Sequence, residues 1–392
     1  MQSRNILFGV LILAACLTQF ASDIYAPSLT AIAAGLNTSI NSVQATMSLY
    51  MLGVALSQLI YGPLSEGFGR KPPMVAGLMI MGIGSLVCMY STHITTLLIG
   101  RFIQGCGAGA CASLWRAVFR DQFSGVELAK YTSYLVIFIM FIVPAAPVLG
   151  GYLQEWFNWQ ASFVFITLYT GIALLALLTT FQETHTQYHS SKLTRATILH
   201  SYSQLLKSRI FMGITASTFL SYGALFSWFV TGPILLIDQL SISPVMFGWL
   251  NFWGCGTAYA LAGYLNGKAV KRLGMPTLMR FGWSCMILSG LLMIGIHMLF
   301  TMTVWTLMIP VILFYFGSTF IWPNAFATAF TPFGHIAGYA GALYGFMQLC
   351  GAAALSGVIA YFPHDTPIGF GIMMLSAPLC AWACYEWFCT QK

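Results

Sequence analysis

Apolar stretches long enough to cross a bilayer recur along the whole chain, at 8–34, 43–64, 73–91, 95–115, 129–153 and 160–181. After one polar interval they resume at 209–237, 245–266, 277–297, 302–330, 335–361 and 367–388. A membrane-crossing helix needs about 20 mostly apolar residues, so the pattern predicts about twelve transmembrane helices with short connections and no large domain outside the membrane. Some of these stretches are longer than the hydrocarbon layer requires, which predicts tilt or extension into the headgroups. The polar interval sorts the chain into a six-helix bundle over 1–181, a linker over 182–208 and a second six-helix bundle over 209–392. The loops after the second and eighth stretches share Gly-x-Leu followed by a basic, glycine-containing turn, in Gly62-Pro63-Leu64 through Lys71 and Gly263-Tyr264-Leu265 through Gly274. That faint repeat fits two halves rocking about a central site.

Composition agrees with lipid as the main solvent. Apolar residues make up 58% and charged residues 6% of the chain; nine acids and sixteen bases are too few to cover a soluble protein of 392 residues. Placing the N-terminus in the cytosol puts Arg4, Arg70, Lys71, Arg120, Lys130, Lys192, Arg195, Lys207, Arg209, Lys268, Lys271, Arg272, Arg280 and Lys392 on one side. The opposite loops hold no Lys or Arg, only Glu155, Asp238 and Asp365. The net charge of +7 therefore reads as a topology signal, with both termini cytosolic at a bacterial-type inner membrane, and not as a nucleic-acid surface. The run ending Leu13-Ala14-Ala15-Cys16 looks like a lipoprotein cleavage box, but the apolar stretch continues past it, so an uncleaved first helix is expected. Most cysteines fall inside predicted spans as small apolar residues, and His185 and His189 lack a third ligand. No metal and no cofactor are expected.

Five local patterns carry chemistry. Asp23-Ile24-Tyr25-Ala26-Pro27 puts the one acid set deep in an apolar span about 15 Å from that span's outer end. Arg101-Phe102-Ile103-Gln104-Gly105-Cys106-Gly107 puts an arginine in the fourth span at a depth Asp23 can share. Intramembrane charges are costly and face a partner or a cavity; an ion pair of purely structural purpose is the plain alternative. Burial favours the protonated acid and a neighbouring guanidinium the anion, so small movements can load or release a proton. Gly62, Glu66, Gly69, Arg70 and Lys71 form a tight basic turn after the second span, Pro147, Gly150 and Gly151 loosen the fifth, and Glu183-Thr184 opens the linker, where a solvated loop carboxylate is the simplest expectation.

In these five places the sequence resembles the major facilitator superfamily, and within it the drug:proton antiporter branch that includes Bcr/CflA-type multidrug efflux transporters. The resemblance implies an all-helical fold of two six-helix bundles. It implies a multi-pass, proton-coupled carrier and not an enzyme: Asp23 and Arg101 would couple protons, and Gly62, Glu66, Gly69, Arg70, Lys71, Pro147, Gly150 and Gly151 would gate. Glu66 stands where that family's loop has Asp, and the fifth-span signature is matched only from Pro144 onward. A cavity lined by the first, fourth, seventh and tenth spans would offer Tyr25, Gln104, Tyr222, Phe226, Trp228, Phe316 and Trp322, with Asn251 and Gln348 as polar contacts. Such a wall suits an amphipathic organic solute. The partners implied are a small-molecule substrate, protons and the lipid bilayer, with the protein a monomer. An importer or exporter of a siderophore or other metabolite shares every feature named so far. A polytopic enzyme has less support, since His-Glu-x-x-His, Gly-x-Ser-x-Gly and paired intramembrane acids are missing from the sequence.

Overall fold

The computed structural model describes residues 4–122, 142, 144–184, 195–363 and 366–390. His185, His189, Lys130, Lys192, Asp365 and most of the fifth stretch lie outside the described residues. Among those described, ten helical segments are long and apolar enough to cross a membrane. The first runs over Phe8–Gly35, the second over Ile40–Phe68, the third over Lys71–Met89, the fourth over Ile94–Phe119 and the sixth over Gln160–Thr180. The fifth is helical from 144 to 156. In the second half come Arg209–Gln239, Met275–Leu299, Val304–Phe333, Tyr339–Ile359 and Ile368–Cys389 as the seventh, ninth, tenth, eleventh and twelfth. The eighth, more polar, is a continuous helix built of Pro244–Leu250, a π-helical turn at Asn251–Cys255, and Gly256–Leu273.

Span one is broken in the middle. Its α-helix ends at Asp23, a 3-10 turn occupies Ala26–Ser28, and a short helix Leu29–Gly35 completes the crossing. Pro27 is the reason: it has no N–H for the Asp23 carbonyl four residues back, and its ring disfavours helix at the residue before it. The break leaves Asp23 at the end of a half-helix in the membrane interior.

Span four meets two neighbours at once. Gly105 lies against the Tyr50 and Val54 backbone and Gly109 against Ser57 and Val54, all in span two, whereas Gly107 lies against Gly77 and Met81 of span three. Glycines two residues apart point about 200° apart on a helix, so alternation opens two faces to close backbone approach. Lipid-facing positions follow the helical period: Leu168, Ile172 and Leu175 of span six are each about 60% exposed.

Helices of the first half pack on one another, span two on four, three on four and six, and one on four and six. Those of the second half do likewise, span seven on eleven, twelve and ten, nine on ten and twelve, and eight on ten. The halves meet where span two lies along span eleven and where span one touches seven and eight. Spans five and eight also touch, at Gly151 against Pro244 and Gly248 against Pro147 and Val148. An amphipathic linker helix, Arg195–Lys207, leans on span eleven through a Tyr202–Tyr339 edge contact at 5.5 Å.

Candidate functional site

The buried polar centre begins at the span-one break. Asp23 is 2% exposed, and its carboxylate accepts a hydrogen bond from the Ser22 hydroxyl. Arg101, fully buried, donates from Nη1 to the Ala21 carbonyl at 2.9 Å and to Gln104 Oε1. It thus sits at the C-terminal end of the half-helix, where a cation meets the favourable end of the dipole. Its guanidinium lies between two aromatic faces, 4.2 Å from the Tyr25 centroid and 4.1 Å from that of Tyr50, with Phe163 at 5.9 Å. Tyr25 is fixed by a 2.7 Å hydrogen bond with Thr46, and Tyr50 by one of 2.9 Å to the Thr18 carbonyl.

The two charges expected to share a depth are neighbours without forming an ion pair. Elsewhere in the molecule Glu66 and Asp121 pair with Arg70, and Glu386 pairs with Arg280. Arg101 Nε and Nη2, both enclosed, have no hydrogen-bond partner. The guanidinium is held by ring faces, the Ala21 carbonyl and Gln104 Oε1, with Nε and Nη2 unused in these contacts.

Of the remaining cavity candidates, Gln104 is committed elsewhere, its amide donating to Ser85 Oγ at 2.8 Å. Trp228 is buried and donates to Asn251 Oδ1 at 2.7 Å, so these two bind span seven to the π-turn of span eight. Tyr222 stacks on Phe226 and meets Trp322 with centroids 5.3 Å apart. Phe316 packs on Phe320 and also touches the small cluster of Ala262 and Leu278. Its neighbour Tyr315 meets Tyr259 at 5.4 Å and belongs to the aromatic row. Gln348 is half-buried on span eleven. Sequence reading passed over Tyr259 and Tyr315 because aromatic residues in spans carry no periodic signal that separates cavity from packing.

At the end of the molecule carrying the basic turns, Arg70 is the hub. It is 1% exposed and bonds Asp121 of span four at 2.7 Å, Glu66 at 2.9 Å and Ser65 Oγ at 2.7 Å. Desolvation works against its charge, but the Asp121 hydrogen bond and the two carboxylates outweigh it and push its pKa up. Asp121 was not among the candidate gating residues: in the Arg120-Asp121 pair it looks like an ordinary headgroup charge. Gly62 faces Ala342 of span eleven, and Gly69 has a φ of +90°, with the Glu183 carboxylate where a side chain would stand.

Glu183 corrects the expectation of a solvated carboxylate. Its oxygens accept the Arg70 N–H at 2.8 Å and the Lys71 N–H at 3.0 Å. The next two positions of span three are Pro72 and Pro73, which have no N–H, so one carboxylate caps the donors that the first turn leaves open. Lys71 reciprocates, its Nζ donating to the Phe181 carbonyl at 2.6 Å and to Leu178 at 3.1 Å at the end of span six. Gly150 of span five lies against the Ile24 carbonyl at the span-one break, and Gly151 would carry a methyl only 2.5 Å from the Pro244 carbonyl.

Two helical halves around a buried acid at a broken helix define a membrane carrier. The family is settled by comparison: the chain belongs to the Major Facilitator Superfamily, whose model matches residues 11–359, and it is a transporter of that family and not an enzyme. It is 29% identical over 350 residues to a bicyclomycin resistance protein homolog of Haemophilus influenzae, covering 89% of this chain and 87% of that one. It is 29% identical over 374 residues to multidrug resistance protein D of Escherichia coli, covering 95% and 93%. Among solved structures, a peptide transporter superposes with a TM-score of 0.76 over 97% of this chain and 93% of its own, at 13% identity, a likeness of fold alone.

Proposed function

We propose that the protein exports small amphipathic organic solutes across a cytoplasmic membrane by alternating access, each cycle driven by protons that Asp23 carries and Arg101 regulates. The observation that carries this reading is a carboxylate buried at the break in span one, beside a guanidinium with two unused donors. A neutral carboxylic acid crosses an apolar interior far more cheaply than an anion. Once deprotonated, Asp23 finds its nearest compensation at Arg101 Nε and Nη2; once protonated, it releases them. A shift of the span-one half-helix can accompany that exchange, since the half-helix is separated from the rest of the span at Ile24 and Tyr25. Gating falls to the Glu66–Arg70–Asp121 lock at one end and to the glycine-rich contact of spans five and eight at the other. The names of two relatives, which concern bicyclomycin and multidrug resistance, support solute efflux as the direction.

The test is transport in inside-out membrane vesicles containing the protein, with a panel of lipophilic dyes, uncharged drugs and siderophores. Export predicts that energising the vesicles drives solute into the lumen and that adding solute dissipates the pH gradient. Accumulation only in right-side-out vesicles makes the protein an importer of the same fold.

A further inference from the structure

Between the polar centre and span ten lies a row of aromatic side chains from three spans of the second half. Tyr222 of span seven meets Trp322 of span ten at 5.3 Å, Trp322 meets Tyr259 of span eight at 5.9 Å, and Tyr259 meets Tyr315 of span ten at 5.4 Å. Tyr315 and Trp322 are seven residues apart, two helical turns, and so share one face of span ten. Tyr222 and Tyr259 are only partly buried in this row, as is Trp322.

The hydrogen bonds of the row are incomplete in one respect. The buried second-half tryptophans use their indole N–H: Trp228 donates to Asn251 at 2.7 Å and Trp283 to Ser221 at 3.1 Å. Trp322 Nε1 is enclosed and has no acceptor, and the hydroxyl of Tyr315, itself 2% exposed, has no partner either. Enclosed polar groups nearly always find partners, because leaving one unmade is costly. Two such groups on one face of one helix, in a row that adjoins the interface of the halves, point to a partner that comes and goes.

An indole N–H only donates, so its partner must accept. An ammonium group has donors and no acceptor, and cannot satisfy it. We infer that this row is the subsite for an aromatic ring of the transported solute bearing an uncharged hydrogen-bond acceptor, such as a carbonyl, nitro or sulfonyl oxygen. Trp322 and Tyr315 are then the specificity-determining residues, Trp322 by donating to that oxygen and Tyr315 by completing its second lone pair. The ring lies among Tyr222, Tyr259 and Trp322 in the offset or edge geometries that aromatic pairs prefer. The solute reaches the indole nitrogen when the halves part.

The inference rests on the central interface being the solute path, and the experiment separates the two. The purified protein in lipid nanodiscs is dialysed to equilibrium against three probes sharing one ring system: 2-acetonaphthone, 2-ethylnaphthalene and (2-naphthylmethyl)trimethylammonium. Uptake by empty nanodiscs is subtracted. The wild type is expected to bind 2-acetonaphthone about tenfold more tightly than 2-ethylnaphthalene, the advantage of one hydrogen bond to an otherwise unpaired buried donor. Trp322→Phe leaves a smaller aromatic ring and removes the donor, so it should erase the ratio between the two affinities whatever it does to their common level; Tyr315→Phe should narrow that ratio. Equal wild-type affinities for the two uncharged probes, no binding of either, preference for the ammonium probe, or an undiminished difference in both variants overturns the subsite. Tyr315→Phe, which removes a single unbonded oxygen, decides the matter should Trp322→Phe fail to fold. Discrimination by wild type alongside absence of proton-driven export counts against the export reading only; export with no discrimination counts against the subsite only.

Discussion

A buried arginine in a membrane protein ordinarily finds a carboxylate, and Arg101 instead lies between the faces of Tyr25 and Tyr50. A planar, weakly hydrated guanidinium can stack on two rings and still direct donors sideways to the Ala21 carbonyl and Gln104; a compact ammonium cannot. Arg101→Lys should therefore behave as a damaging change although the charge is kept. Loss of two ring contacts and a carbonyl cap is expected to cost about 1–3 kcal/mol, read as a lowered melting temperature in detergent, together with reduced transport. A lysine variant with wild-type melting and wild-type transport would show that the stacking contributes nothing. Asp23 and Arg101 were visible in the sequence because each interrupts an apolar run. Tyr50 was not, since one tyrosine in a span looks like any packing residue until the fold brings a cation to its face. Asp121 and Glu183 were missed for a related reason: carboxylates near predicted span ends are normally solvated, and only tertiary structure shows Arg70 reaching one and the first turn of span three using the other.

At the scale of the helix, the ten apolar spans among the described residues were legible to within a few residues, because twenty-odd apolar residues have one solution in a bilayer. The interruptions were less so. The first stretch reads in sequence as one uninterrupted span, and the structure breaks it at Pro27; the π-turn in span eight, which aims Asn251 at Trp228, had no sequence signal beyond nearby glycines. The glycines of span four alternate in the sequence, and the structure shows which neighbour each one meets. Gly105→Ala and Gly107→Ala should each destabilise by about 1–3 kcal/mol or more, since the new methyl enters the backbone of span two or span three. Gly171 of span six has nothing within 4 Å of a Cβ position. Gly171→Ala should be neutral or stabilising by up to about 1 kcal/mol through helix propensity alone. Thermal unfolding of the three variants side by side checks the ranking, and an equal response would mean that the close approaches are not limiting.

Across the whole molecule the two halves echo each other without matching. In the first, Arg70 after span two bonds Ser65 and Glu66 on one side and Asp121, at the end of the span-four helix, on the other. In the second, Asn266, the counterpart of Ser65 in the Gly-x-Leu repeat, accepts from Asn324 of span ten at 2.8 Å. A charged cluster stands where its equivalent is neutral, so under the proposed gating the charge dependence would lie in the first half. Neutralising Glu66 removes one of the two carboxylates on Arg70 next to span eleven, where Gly62 faces Ala342. Glu66→Gln should raise the labelling of cysteines introduced at that end of the central interface; unchanged labelling with unchanged transport would leave Glu66 a purely structural residue. The repeat, the linker and the charge asymmetry were all readable in the sequence, whereas the pairing of span two with eleven and five with eight was not, because apolar faces do not specify partners in lipid.

The central claim is that Asp23 carries the proton that drives transport. Asp23→Asn keeps the size and much of the hydrogen bonding of the side chain but cannot alternate between neutral and anionic forms. The direct measurement is solute movement by purified wild type and Asp23→Asn in proteoliposomes, under an imposed pH gradient and, separately, in solute-for-solute exchange without one. The account predicts that the variant exchanges solute and fails to concentrate it against its gradient. Uphill transport by Asp23→Asn at the wild-type rate would contradict it.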